Sequence, residues 1–295
     1  MTKELEVRQK FTNEKLSELR LALSEAERIS ESAACVYATG SFGRGEASQH
    51  SDLDLFIVGK VSETKSKDVK LEQKRLLSRL DEICLKAELI KVARHMRFPE
   101  FSQDGRFIVH YTVAELVKSL GTPEDDAFNT FTARMLLLLE STPIVGQAVY
   151  QEVLNDVIAG YCRDFAEHSR DFMPAFLAND ILRFWRTLCF NYEVGRADSP
   201  DREKAKGKAK NFKLRHSRML TCYSTLLFML DAFAKSGTVT PDDINKMIKL
   251  KPLERIRAVS NSTINAEIVS ELREQYEKFL VVTSRSENEL GRVVN

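Results

Sequence analysis

Apolar positions follow one rule in the first 113 residues of this chain and another afterwards. Early on, short β-favouring runs are separated by polar stretches; later, apolar residues recur at helical spacing. Cys35-Val36-Tyr37-Ala38-Thr39 is one of the early runs and stops at Gly40, as a buried strand would. Asp52-Leu53-Asp54-Leu55-Phe56-Ile57-Val58 alternates acid and apolar at its start and then turns wholly apolar, which predicts a second strand. From Ser66 to Lys86 the residues Val69, Leu76, Leu77, Leu80, Ile83 and Cys84 fall at helical spacing and predict a helix. Ala87-Glu88-Leu89-Ile90-Lys91-Val92 then predicts a strand, and Gln103-Asp104-Gly105-Arg106 a hairpin turn.

Helical signals dominate the rest. A short helix is expected over Val113–Leu120, followed by a polar connector and a helix from Phe128 to Leu139 whose uniform apolarity implies burial on several sides. Further helices are expected at 146–172, 174–195, 211–236, 241–249 and 263–283, punctuated by Pro143, Pro174, Gly195 with Pro200, Gly237 with Pro241, and Pro252. The fold class is therefore α+β. An N-terminal helix and a small mixed sheet occupy residues 1–120, and an all-helical bundle occupies 121–295.

Composition narrows the setting. At 295 residues, 43% apolar and 29% charged, the chain can bury two cores. Its five cysteines include no Cys-x-x-Cys pair, and several sit inside apolar runs, so they read as reduced buried thiols. The N-terminus is charged where a signal peptide would be apolar, and no apolar run reaches membrane-spanning length, so a cytoplasmic protein is expected. The net charge of +1 conceals one local excess. Lys204, Lys206, Lys208, Lys210, Lys213, Arg215 and Arg218 follow one another with no acid between them. Such a segment is either a solvated face or a strip for phosphates, with Lys213 and Arg215 as its candidate nucleotide-binding residues.

The most informative chemistry lies between the first two strands. In Gly40-Ser41-Phe42-Gly43-Arg44-Gly45-Glu46, Gly40 lets the backbone approach a ligand, and Ser41 with the amides after it can meet phosphate oxygens. Arg44 stands one helical turn from Ser41 and can reach the same anion. Asp52 and Asp54, two apart on a strand, emerge on one side. Their repulsion destabilises the site unless a cation lies between them, and Mg2+, held by one or two carboxylates plus substrate phosphates, suits that inventory.

These residues resemble the pattern of the DNA-polymerase-β-like nucleotidyltransferase superfamily: Gly-Ser, about ten residues, then acid, hydrophobic, acid. Thr39 to Leu55 matches, with Thr39 only weakly apolar where the pattern is hydrophobic. Gly-Ser-Phe-Gly-Arg-Gly-Glu with Ser-Asp-Leu-Asp-Leu is similar to the uridylyltransferase branch that modifies nitrogen-regulatory proteins. The resemblance covers about a hundred N-terminal residues. It implies a nucleoside triphosphate donor, Gly40, Ser41 and Arg44 at its phosphates, and Asp52 and Asp54 on two Mg2+ or Mn2+ ions. It also implies a third catalytic and metal-binding carboxylate on a later strand, for which Glu88 is the first candidate and Asp104 the second. Asn179 to Thr187 and Asn211 to Arg218 resemble segments of bacterial nucleotidyltransferases with a helical C-terminal half.

The acceptor is not in the motif. A nucleotide chain or signalling nucleotide made in bacterial defence is one expectation; nucleotidylation of a protein or RNA hydroxyl, regulatory or toxin-like, is the alternative. Asn179, Arg183 and Arg186 share a helix face that could contact nucleotide or acceptor. Tyr161, Tyr192, Tyr223 and Tyr276 could accept a nucleotide in self-modification or simply pack. Arg163-Asp164-Phe165-Ala166-Glu167-His168 matches the short Arg-x4-His pattern of helical ribonucleases, a lesser alternative that chance also explains.

Overall fold

A computed structural model describes residues 3–65, 71–101, 105, 108–197, 204–259 and 265–285. Helices α1 (Lys3–Ala22) and α2 (Ser24–Ser30) lead into β1 (Ala34–Ala38), a five-residue helix α3 (Gly40–Arg44) and β2 (Leu55–Gly59). A two-stranded ribbon of β3 (Val61–Lys65) and β4 (Leu71–Arg75) precedes α4 (Arg79–His95). Next come β5 (His110–Thr112), α5 (Val113–Lys118), α6 (Glu124–Ala127), α7 (Thr130–Glu140), β6 (Thr142–Val145) and α8 (Gln147–Tyr161). Among the described residues the main sheet has the order β5-β2-β1-β6. It is mixed: β1 is antiparallel to β2 and to β6, and β2 is parallel to β5. Every residue of β1 and β2 is buried, which is why both read as unbroken apolar runs.

One compact unit comprises Lys10–Ala47 and Ser51–Gly160. Its core joins Leu16, Leu19 and Leu23 to Val36, Ile57, Leu85 and Leu89. The sequence pattern placed a boundary after residue 120, whereas this unit runs on to Gly160. The reason is β6: it pairs with β1, and α7 before it packs on α3. Pro143 interrupts a helical pattern in sequence, yet stands in this edge strand opposite Tyr37, where a missing N–H is tolerated.

Of the helix expected over 66–86, residues 66–70 lie outside the described residues, Val69 with them; residues 71–92 depart most from expectation. Leu71–Arg75 is strand, not helix, and the expected strand 87–92 lies inside α4. Ser78 caps α4 by accepting from the Asp81 amide at 3.1 Å, and Leu85, Leu89, Val92 and Ala93 form its buried stripe. Leu80 and Ile83, expected inside, are 75% and 55% exposed. The helical period is present, but its buried phase runs through Leu85, Leu89, Val92 and Ala93. Of the expected hairpin turn, residues 103, 104 and 106 fall outside the described residues.

The second unit is helical. It contains α9 (Ala175–Ala197), α10 (Lys204–Lys213), a π-helical turn (Leu214–Arg218), α11 (Met219–Ser236), α12 (Pro241–Lys249), α13 (Pro252–Val259) and α14 (Ala266–Thr283). Leu220, Ile256, Val269, Tyr276, Phe279 and Leu280 form a core there. Arg255 is buried among them, donating to the Met247 carbonyl and to Thr225 Oγ1, both at 2.9 Å. No described helix is long and apolar enough to cross a membrane.

Candidate active site

The site begins where β1 ends. The Thr39 amide donates to the Asp54 carbonyl at 2.9 Å, extending the β1–β2 ladder one step past Ala38 and Leu55. That bond places Asp54 beside Gly40. Gly40 has φ +66°, and a Cβ there would stand 3.1 Å from Asp54 Oδ2. Glycine at this position therefore serves two needs, a left-handed turn and room for the carboxylate.

Asp52 and Asp54 are exposed, while Leu53 between them is 4% exposed and held in the core. The extended chain thus sends both carboxylates to the side away from the core, as the alternation in sequence implies, although the strand itself begins one residue later at Leu55. Two oxygen-rich acids in this placement fit a hard divalent cation whose remaining ligands come from substrate phosphates and water. Among the described residues, no group of three or more His, Cys, Asp or Glu side chains comes together as a metal site.

Helix α3 carries Ser41, half-buried, away from the end of β1. Phe42 fixes the turn in the core, 1% exposed and edge-on to Phe98 at 5.6 Å. Gly43 is pressed on α7: a Cβ there would lie 1.8 Å from the Glu140 carbonyl oxygen. Arg44 does not point outward as expected for a phosphate ligand. It is 7% exposed, and its guanidinium donates to Glu46 Oε2 at 2.9 Å and to Glu140 Oε2 at 2.6 Å. Burial between two carboxylates makes it an anchor of the turn that carries Ser41.

Glu88 is likewise placed differently from its expectation. It lies on helix α4, which packs on α2, and accepts from Lys91 Nζ at 3.3 Å. The structure does not gather it with Asp52 and Asp54 into a three-acid cluster. Asp104 lies outside the described residues. Lys213 and Arg215 are exposed at the α10–π junction of the helical unit.

Other singled-out residues have local roles. Asp180 is buried, accepts from Tyr161 Oη at 2.6 Å and pairs with Arg183 at 3.5 Å, so part of the polar stripe on α9 holds its own unit together. Tyr161 and Tyr276 are buried packing residues, and Tyr223 is 40% exposed. Arg163 is exposed and lies 3.8 Å from Asp164, and the segment to His168 is a series of turns and not a helix.

Sequence reasoning missed Glu46, Glu140 and Thr12. Thr12 Oγ1 accepts from the Ala47 amide at 2.9 Å and so secures the loop after α3. No local signal marks Glu140, an acid at the end of an apolar run that is 3% exposed.

No curated protein matches the chain. Residues 16–103, under a third of the chain, match the family model described as Nucleotidyltransferase domain, and the matched segment takes in β1, α3, both aspartates, β2 and α4, consistent with the polymerase-β-like resemblance of its motif.

Proposed function

We propose that the chain transfers a nucleoside monophosphate from a nucleoside triphosphate to an acceptor hydroxyl, releasing pyrophosphate. The observation that carries this reading is the contact between the Gly40 turn and the Asp54 carboxylate, with Asp52 on the same side. A glycine turn suited to phosphate oxygens, close to a carboxylate suited to a divalent cation, supports the reading.

Asp52 and Asp54 would hold Mg2+ or Mn2+, which supplies Lewis-acid stabilisation of charge on the phosphoryl oxygens and the leaving pyrophosphate. Gly40 and Ser41 receive the triphosphate, and Arg44, through Glu46 and Glu140, keeps their turn in place. The rate gain comes from positioning and electrostatics, because the acceptor oxygen attacks phosphorus directly and no residue of the chain becomes covalently modified. The acceptor favoured is the hydroxyl of a nucleotide or nucleic acid, with a signalling or defence product; a protein hydroxyl is the second choice.

The test is incubation with each α-labelled nucleoside triphosphate and Mg2+ or Mn2+, with RNA, protein and small-molecule fractions analysed separately. Label should enter one fraction with equimolar pyrophosphate, and Asp54→Ala should abolish it. Absence of pyrophosphate release with all nucleotides and both metals refutes the reading.

A further inference from the structure

We propose that Thr12 and Thr142 are positioning residues for the turn that carries Gly40 and Ser41, each supplying half of a hydrogen bond that the turn does not close. Their role rests on the reading of that turn as the triphosphate cradle, and both hydroxyls lie outside the matched residues 16–103.

Helix α3 is five residues long, so its last carbonyls need partners from elsewhere. Gly45 ends it in the left-handed conformation, φ +74°, and the Glu46 amide turns back to the Ser41 carbonyl at 2.8 Å. A longer helix would bond the Gly43 carbonyl to the amide four residues on, that of Ala47. Here the two groups are served separately. The Ala47 amide donates to Thr12 Oγ1 at 2.9 Å, and Thr142 Oγ1 donates to the Gly43 carbonyl at 3.2 Å. Gly43 and Ala47 are both buried, where an unmatched backbone donor or acceptor is costly. One hydroxyl acts as acceptor and the other as donor, a division open to threonine and serine and closed to valine of the same shape.

Both hydroxyls come from fixed elements. Thr12 is buried on α1, and Thr142 opens β6 in register with Ala38 at the end of β1. Ser141 beside it shares a hydrogen bond with Tyr150 Oη at 2.7 Å, which ties the α7–β6 corner to α8. The same corner presents the Glu140 carbonyl against which Gly43 is pressed. Helix α1 and this corner thus hold the exit of the turn, and the Glu46–Ser41 bond carries that constraint to the Ser41 backbone. A turn fixed before the ligand arrives binds it with less ordering cost. Loss of either hydroxyl therefore weakens triphosphate binding and spares the chemical step.

The experiment compares Thr12→Val, Thr142→Val, Thr12→Ser and Thr142→Ser in the full chain by two readouts. Hydrogen exchange followed by mass spectrometry, without nucleotide, should be faster over residues 39–47 in both valine variants and native in both serine variants. Residues 85–93 of α4 should exchange as in the native chain throughout. Steady-state transfer with Mg2+ and the triphosphate that the native chain uses should show KM raised about three- to tenfold by valine, with kcat unchanged, and restored by serine. Native exchange of 39–47 in the valine variants overturns the proposal. So does faster exchange that extends to 85–93, a fall in kcat at constant KM, or failure of serine to restore the native values. A native chain that transfers no nucleotide removes the catalytic reading alone, and exchange in the four variants still decides whether the threonines hold the turn.

Discussion

Arg44 and Glu140, separated by 96 positions in sequence, meet through a 2.6 Å hydrogen bond from Nη1 to Oε2 in the interior of the sheet unit. Glu46 Oε2 accepts a hydrogen bond from Arg44 Nε at 2.9 Å, so one buried cation is shared by two buried carboxylates. The two ends of this arrangement are unequal. Removing the cation leaves two like charges facing each other without water, whereas neutralising one acid leaves a matched pair. Arg44→Met is therefore expected to cost about 3–5 kcal/mol of unfolding free energy, and Glu140→Gln much less. Denaturant titration of both variants checks the order. Equal losses, or a larger one for Glu140→Gln, would remove Arg44 from the centre of the cluster.

Gly40→Ala tests the turn at the end of β1. The left-handed backbone costs a residue with a Cβ about 1–2 kcal/mol, and the new methyl would stand 3.1 Å from Asp54 Oδ2. The carboxylate has to move aside by a few tenths of an ångström. Nucleotidyl transfer should fall at least tenfold, on the order of the loss seen when groups that orient metal ligands are disturbed. The folded state should persist. Steady-state kinetics beside a melting curve separates the two effects, and unchanged transfer would show that Asp54 does not need its present position.

The site was legible where spacing and backbone geometry coincide. Asp-Leu-Asp can be read in one way only when Leu53 belongs to the core, and Gly40 breaks an apolar run where the chain must turn. Arg44's anchoring partners are not legible in sequence, because a sequence shows a guanidinium's reach and not what it meets; Glu140 arrives from another helix. Residues 71–92 differ from expectation for a related reason. Alternation and helical period overlap in a short apolar–polar mixture, and the Ser78 cap, which starts α4 and thereby sets which leucines turn inward, outweighs the apparent strand around Glu88. The π turn left no trace, since its composition is that of the basic helix it interrupts.

His110 predicts a loss of stability in acid. It is buried in β5, and its Nδ1 lies 3.0 Å from Glu82 Oε2. Lys86 and Arg75 approach the same carboxylate at 2.5 Å and 3.8 Å. Burial is the largest influence and moves the imidazole below its ordinary value of 6.5, with Glu82 acting against it. The folded chain thus refuses a proton that the unfolded chain accepts. Stability is fully present above pH 6.5 and is lost as pH falls below that value toward the folded one. Glu82 is itself held below the ordinary 4.5, its own burial opposed by Lys86 and His110, and so adds a second loss at lower pH. Denaturation midpoints measured from pH 8 down to about 5 should decline, and His110→Gln should flatten the upper part of the curve. A flat native profile contradicts this account.

Thiol labelling offers a check on packing. Burial pushes Cys35 and Cys222 up to about 12, and Cys162 up to about 11. Cys84, on α4, is exposed. A disulfide reagent at neutral pH should modify Cys84 rapidly in the folded chain and the three buried thiols only on unfolding, because the thiolate is the reacting form. Mass mapping of the labelled peptides identifies the order; rapid labelling of Cys35 would mean that β1 is not covered as described.

Metal binding can be examined apart from turnover. With Leu53 fixed inside and both neighbouring acids outside, Asp52 and Asp54 offer carboxylates on one side of the chain, and no third described acid joins them. Two protein ligands are too few for tight capture of a hard cation by themselves, so substrate phosphates have to complete the shell. Binding of Mn2+ to the full chain, followed by its electron paramagnetic resonance signal, should therefore be weak alone and strengthened by a nucleoside triphosphate. Asp54→Asn should reduce the nucleotide-dependent part by at least tenfold, since changes even one layer out from a metal cost about 10–100-fold. Tight Mn2+ uptake without nucleotide would point to a third protein carboxylate, for which Asp104→Asn is the next variant to measure. Nucleotide-assisted uptake that survives Asp52→Asn/Asp54→Asn would separate the aspartates from the cation altogether and with it dismantle the catalytic assignment.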